Sequence, residues 1–161
     1  MARILTITLN PALDLSVETA PLTLGEVNRT GHTLMEPAGK GINVARVLAR
    51  LGHSVTVAGL LGDANAAPFE RLFEAEGLQD SFVRVPGQNR INIKIAEAGG
   101  RVTDLNGPGF RAPEDALQRL QLRLKSLLPE CDAVVIGGSL PDGFPPSGLA
   151  NLVEQASHAD K

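Results

Sequence analysis

The 161-residue sequence has no tryptophan and no tyrosine, and its aromatic content of 3% consists of five phenylalanines. Proteins that stack nucleobases need more flat rings than this, which argues against single-stranded nucleic acid as a partner. One cysteine, Cys131, rules out an internal disulfide. His32, His53 and His158 stand singly, with no second ligand at helical or hairpin spacing, so no metal pair is written into the chain. The formal net charge is -3 and the basic residues are interspersed with acidic ones. That pattern supplies no field for non-specific binding to nucleic acid or a membrane surface. The opening Met1-Ala2-Arg3-Ile4 segment meets Asn10 and Pro11 before an apolar run of signal-peptide length develops, so the expected location is the cytoplasm.

What remains is an ordinary globular composition, 43% hydrophobic and 20% charged, long enough for one domain with its own core. The most informative stretch runs from Ala38 to Gly52, where Gly39-Lys40-Gly41 leads into a helical pattern over Asn43 to Leu51. Glycines let backbone approach a ligand closely, the first turn of a helix offers unpaired N–H groups, and Lys40 adds a full positive charge. Spacing places Val44, Val47, Leu48 and Leu51 on one buried stripe, with Arg46 and Arg50 on the opposite, solvated face. Two phosphate loops are excluded. Gly41, not Ser or Thr, follows Lys40, and Val44 occupies the place of the third glycine of a dinucleotide fingerprint. A helix-opening turn without a ligand is the alternative reading.

The order of elements predicts an α/β fold. Arg3 to Thr8 reads as a strand ended by Asn10-Pro11, Thr30 to Glu36 as a second extended piece, and Ser54 to Leu60 as a buried strand after the first helix. A helix over Ala66 to Glu76 turns Phe69, Leu72 and Phe73 inward, and Phe82 to Val85 is a short strand. Arg90 to Ile95 alternates with period two, and Gly99-Gly100 separates it from Arg101 to Asn106, predicting an antiparallel hairpin with one wet face, apart from the parallel sheet. A long helix follows from Pro113 to Leu128. Ala133 to Ile136 reads as a strand buried on both faces, ending at Gly137-Gly138-Ser139, and a last helix covers Ser147 to Ser157.

Polar residues gather beside glycines or strand ends in four places: Asn10 to Asp14, Gly39 to Asn43, Arg90, and Gly138-Ser139. Taken together, these segments resemble the N-terminal half of a ribokinase-like (PfkB-type) carbohydrate kinase. Gly39, Gly41, Asn43, Ala45, Gly52 and Gly62 fall at the intervals of that family's first signature, and the resemblance spans essentially the whole chain. Thr8-Leu9-Asn10-Pro11-Ala12-Leu13-Asp14, Arg90-Ile91-Asn92-Ile93-Lys94 and Gly138 to Gly143 are similar to its sugar-phosphate branch.

The resemblance implies a three-layer ribokinase-like fold, mostly parallel sheet between helices, with a small antiparallel lid from about 13–36 and 90–106. It implies ATP-dependent phosphorylation of a ketohexose phosphate with Mg2+ as counter-ion, fructose 1-phosphate going to the 1,6-bisphosphate. Tagatose 6-phosphate or fructose 6-phosphate as acceptor stays open, as does a non-catalytic sugar-phosphate-binding or dimerisation module. Asp14, Gly39 and Asn43 are then expected at sugar hydroxyls. Arg90 is expected at the phosphate, where a guanidinium's paired donors suit phosphate oxygens, with Lys40 and Lys94 as further cations. Asn106 and Ser139 complete the expected site. The family's Gly-Ala-Gly-Asp segment, with its general base and anion hole, is not in the sequence, so no catalytic residue is expected here and the ATP-binding half lies elsewhere. Relatives associate through their lids, which implies a homodimer. An unfinished sheet implies low stability or aggregation.

Overall fold

A computed structural model describes residues 1–161. Its frame is a parallel sheet in the order β5-β4-β1-β9, made by β1 (Arg3–Thr8), β4 (Ser54–Gly62), β5 (Gln79–Asp80) and β9 (Ala133–Ile136). β6 (Val83–Val85) pairs with the upper end of β4, beyond β5. The chain builds this sheet because β1 and β4 alternate two apolar faces. Leu5, Ile7, Ala58 and Leu60 point into one core, and Val55, Val57 and Leu61 into another.

Each core has its own helix pair. On one side α3 (Ala116–Leu127) and α4 (Pro146–His158) bring Leu120, Leu124, Leu152 and Ala156 against the sheet. On the other, α1 (Lys40–Arg50) and α2 (Ala67–Ala75) bring Ile42, Ala45, Phe69 and Phe73. Phe73 stacks on Phe82, with centroids 5.6 Å apart. The result is the expected three-layer α/β arrangement.

The face of α1 that packs inward is not the expected one. Gly41, Ile42 and Ala45 are buried, whereas Val44, Val47 and Leu51 are 38%, 56% and 69% exposed; of the expected stripe, Leu48 alone packs against the core, half-buried. Small residues let the helix lie close on β1, where Thr6 and Thr8 point toward it. A methyl built on Gly41 overlaps Thr8 Oγ1. The helix also begins three residues earlier than expected, so Lys40 and Gly41 belong to its first turn. β9 is likewise corrected. It sits at the sheet edge, so Ala133 is exposed and Val134, Val135 and Ile136 are only half-buried.

A second sheet stands apart, in the order β3-β2-β7-β8, from β2 (Ala12–Thr19), β3 (Thr30–Ala38), β7 (Arg90–Glu97) and β8 (Val102–Asn106). The two hairpins, β2 with β3 and β7 with β8, are antiparallel as expected, but β2 and β7 pair in parallel, so the sheet is mixed rather than antiparallel. Register gives it two unlike faces. Glu36, Asp14, Asn92 and Asn106 form one cross-strand row, and Met35, Leu15, Ile93 and Leu105 form the row on the opposite face.

Candidate functional site

The polar face of the second sheet and the outer side of α1 enclose a cavity of about 570 Å³. β2 contributes Asp14 and Ser16, β3 Glu36, β7 Asn92 and Lys94, and β8 Asp104 and Asn106. α1 contributes Asn43, Arg46 and Arg50 from the opposite wall. Period-two alternation explains the first set, because these residues are spaced by two on each strand and the pairing aligns them.

Asn92 Nδ2 donates to Asp14 Oδ1 at 2.9 Å. This bond orients the carboxylate and leaves its second oxygen for a ligand, while Asn92 Oδ1 is buried without a partner. A free carboxylate oxygen beside a buried, unpartnered amide oxygen is an acceptor pair, suited to groups that donate hydrogen bonds, as hydroxyls do. The two arginines of α1 are already engaged. Arg46 Nε and Arg50 Nε donate to the Glu76 carboxylate at 3.2 and 3.1 Å. The Arg50 guanidinium, seconded by Arg46, holds Glu76 below the usual carboxylate range. Their charge therefore reaches the cavity partly neutralised, and Lys94, facing Asp104 across the β7–β8 pair, is the cation of the opposite wall.

Of the expected residues, Asp14, Asn43 and Asn106 line this cavity, together with Lys94. Gly39 lies directly beside it, following Ala38 in the lining, and caps α1 with a φ of 152° that a side chain rarely adopts. Its carbonyl accepts the Asn43 N–H at 2.8 Å, the first bond of the helix, so the preceding N–H groups of the turn have no helical acceptor.

Arg90, Lys40 and Ser139 do not line the cavity. They lie at the neighbouring strand ends. Arg90 pairs with Ala12 one step below the Asp14–Asn92 pair on the same face, a separation of roughly 7 Å along the strand. Lys40 packs beside Gly137, just past β9, since a methyl built on Gly137 falls 3.6 Å from Lys40 Cβ. Ser139 accepts a hydrogen bond from Asn10 Nδ2 at 3.3 Å. The eight expected residues thus form two adjoining groups, Asp14, Gly39, Asn43, Lys94 and Asn106 in or beside the cavity, and Lys40, Arg90 and Ser139 around the ends of β1 and β9 and the start of β7. Among the residues that line the cavity, sequence reading missed Ser16, Glu36, Arg46, Arg50 and Asp104. For Glu36 the signal lay in strand register, opposite Asp14, which the sequence does not display.

A three-layer α/β body with a separate four-stranded sheet over an acceptor-rich cavity is the architecture of a carbohydrate kinase of the ribokinase type. Residues 7–161 match the model of the pfkB family carbohydrate kinases, and the chain belongs to that family. It is 42% identical to the 1-phosphofructokinase of Vibrio cholerae over 99% of its own length, and 43% identical to that of Haemophilus influenzae, also over 99%. It spans about half of those relatives, 50% and 51%. Among solved structures it resembles a possible 1-phosphofructokinase from Thermotoga maritima, with TM-score 0.89 and 32% identity, covering 98% of this chain and 51% of that one. It also resembles phosphofructokinase-2 from Escherichia coli in complex with fructose-6-phosphate, with TM-score 0.87 and 32% identity, covering 99% of this chain and 52% of the other. No helix is long and apolar enough to cross a membrane.

Proposed function

We propose that this chain is the acceptor side of an ATP-dependent kinase of ketohexose phosphates, with fructose 1-phosphate as the sugar that is phosphorylated to the 1,6-bisphosphate. The observation that carries the reading is the acceptor pair of Asp14 and Asn92, facing Asn43 and Asn106 and standing one strand step from Arg90. Hydroxyls of the sugar donate to the first group. The phosphate takes the guanidinium of Arg90, whose Nε is buried without a partner, and the ammonium of Lys40. The curated relatives at 42–43% identity are 1-phosphofructokinases, which supports fructose 1-phosphate as the sugar.

The chemistry asked of these residues is positioning. Holding the acceptor hydroxyl in one orientation removes most of the entropy of encounter, and covering it with the second sheet excludes the water that competes for a transferred phosphoryl group. ATP with Mg2+ is the phosphoryl donor that membership of the pfkB family implies.

The second sheet also supports a homodimer. At its base Leu13 and Ile91 join the core around Phe69, but in the next row Met35 and Leu105 are 48% and 51% exposed, flanking the half-buried Leu15 and Ile93. One apolar residue from each of four adjacent strands makes a flat row that a second copy covers about a two-fold axis. Calorimetry with fructose 1-phosphate, fructose 6-phosphate and ATP tests the functional reading. Fructose 1-phosphate is expected to bind more tightly than fructose 6-phosphate, and ATP not at all. ATP binding without sugar phosphate overturns it.

A further inference from the structure

Asn10 sits just past the end of β1, at the junction of the two groups of site residues. Its Nδ2 donates to Ser139 Oγ at 3.3 Å and to the Leu140 carbonyl at 3.2 Å. A backbone carbonyl only accepts, so the amide nitrogen belongs on that side and Oδ1 on the other. Oδ1 is buried with no partner, and so is Arg90 Nε. Gly109 stands between them. A methyl built on it falls 3.3 Å from Asn10 Oδ1 and 3.3 Å from both the Cβ and the backbone N of Arg90. Only the side-chain-free Gly109 packs over this pair, and both polar groups stay buried with no partner in the chain.

Three hydrogen-bonding functions converge there with defined polarity. Ser139 uses its oxygen to accept from Asn10, which frees its own proton to donate outward. Arg90 Nε donates. Asn10 Oδ1 only accepts. The ester phosphate of a sugar, as its dianion, satisfies the two donors but has no proton for Oδ1, which a neighbouring sugar hydroxyl supplies. We infer that Asn10 is a specificity-determining residue, its Oδ1 accepting from a sugar hydroxyl while its N–H groups hold Ser139 turned toward the same ligand. This assignment rests on the sugar-phosphate reading above and adds to it a residue that reads the sugar rather than the phosphate.

The test titrates the chain and its Asn10→Ala variant with fructose 1-phosphate and with inorganic sulfate, a tetrahedral dianion with no proton to donate, each chain's melting being recorded alongside. Asn10→Ala is expected to weaken fructose 1-phosphate about tenfold and to leave sulfate within about twofold. In the unaltered chain, the Asn10 side-chain amide resonances are expected to shift with fructose 1-phosphate and to stay in place with sulfate, a readout that needs no variant to fold. Equal affinity of both chains for fructose 1-phosphate, a parallel loss of both ligands, or unmoved amide resonances overturns the role of Asn10 alone. Failure of the unaltered chain to bind fructose 1-phosphate overturns the underlying reading and this one with it.

Discussion

Asn89 pairs with Gly62 as though it were a further strand residue: the Gly62 N–H donates to Asn89 Oδ1 at 2.9 Å, and Asn89 Nδ2 donates to the Gly62 carbonyl at 2.9 Å. Asn65 Oδ1 takes the Asn89 backbone N–H at 2.8 Å and its side-chain amide at 2.7 Å. This amide, only 1% exposed, fixes the chain where it passes from β6 in the first sheet to β7 in the second, one residue before Arg90.

Asn89→Ala strands the Gly62 groups in a buried place, and is expected to cost about 2–3 kcal/mol and lower the melting temperature by about 5–10 °C. Asn89→Asp is expected to cost a similar amount, because a carboxylate accepts from Gly62 N–H but cannot donate to its carbonyl. Thermal unfolding followed by circular dichroism checks both. A melt unchanged by either variant contradicts the clamp.

Two carboxylates, Asp132 and Glu76, tie distant segments through arginine, and a third, Glu97, does so through the Leu22 N–H. Hydrogen bonds from Arg3 pull Asp132 down to about 2, Arg50 and then Arg46 lower Glu76, and Arg101 followed by the Leu22 N–H lowers Glu97. A carboxyl group whose folded value lies below its unfolded one stabilises the fold above the unfolded value and loses that contribution as pH falls toward the folded one. Melting is therefore expected to be flat from pH 7 to about 5 and to drop below about 4, where unfolded carboxylates take up protons. Arg3→Ala should make the acid limb shallower, and a limb of unchanged steepness in that variant removes Asp132 from the account.

The edge strand β9 carries the half-buried Val134, Val135 and Ile136 with no neighbour on its outer side. Open strand edges with apolar faces pair with other chains. Val135→Lys is expected to reduce light scattering of concentrated samples while moving the melting temperature by only a few degrees. Aggregation equal to that of the unaltered chain shows that another surface is responsible.

Leu105→Asp places a charge in the exposed apolar row of the second sheet, on the face away from Asn106 and the cavity. Sedimentation is expected to show a dimer for the unaltered chain and a monomer for the variant, with fructose 1-phosphate affinity within a few-fold. A monomer in both cases refutes self-association through this face.

The second sheet's hairpin over β7 and β8 was legible because period-two alternation and Gly99-Gly100 are local signals. The parallel partnership of β2 with β7 joins residues nearly eighty positions apart, as between Asp14 and Asn92, and no local pattern announces it. In α1 the apolar periodicity was real but marked the wrong face. Val44, Val47 and Leu51 outweigh Gly41 and Ala45 in hydrophobicity, yet close packing on Thr8 selects the small residues. β9 read as doubly buried from its apolar run, while its place at the edge depends on strand order. Types and glycine intervals picked out Asp14 and Asn43, which line the cavity, and Gly39 beside it. Asn10 was read within its motif but not as a site residue, since its contact with Ser139 spans 129 residues.

The most direct measurement is an amide chemical-shift map of the labelled chain titrated with fructose 1-phosphate. Shifts concentrated at Asp14, Gly39 to Asn43, Arg90 to Asn92, Asn106 and Ser139, with none on adding ATP, are the expected result. Shifts elsewhere with those residues silent, or ATP moving them in place of the sugar phosphate, contradict the account.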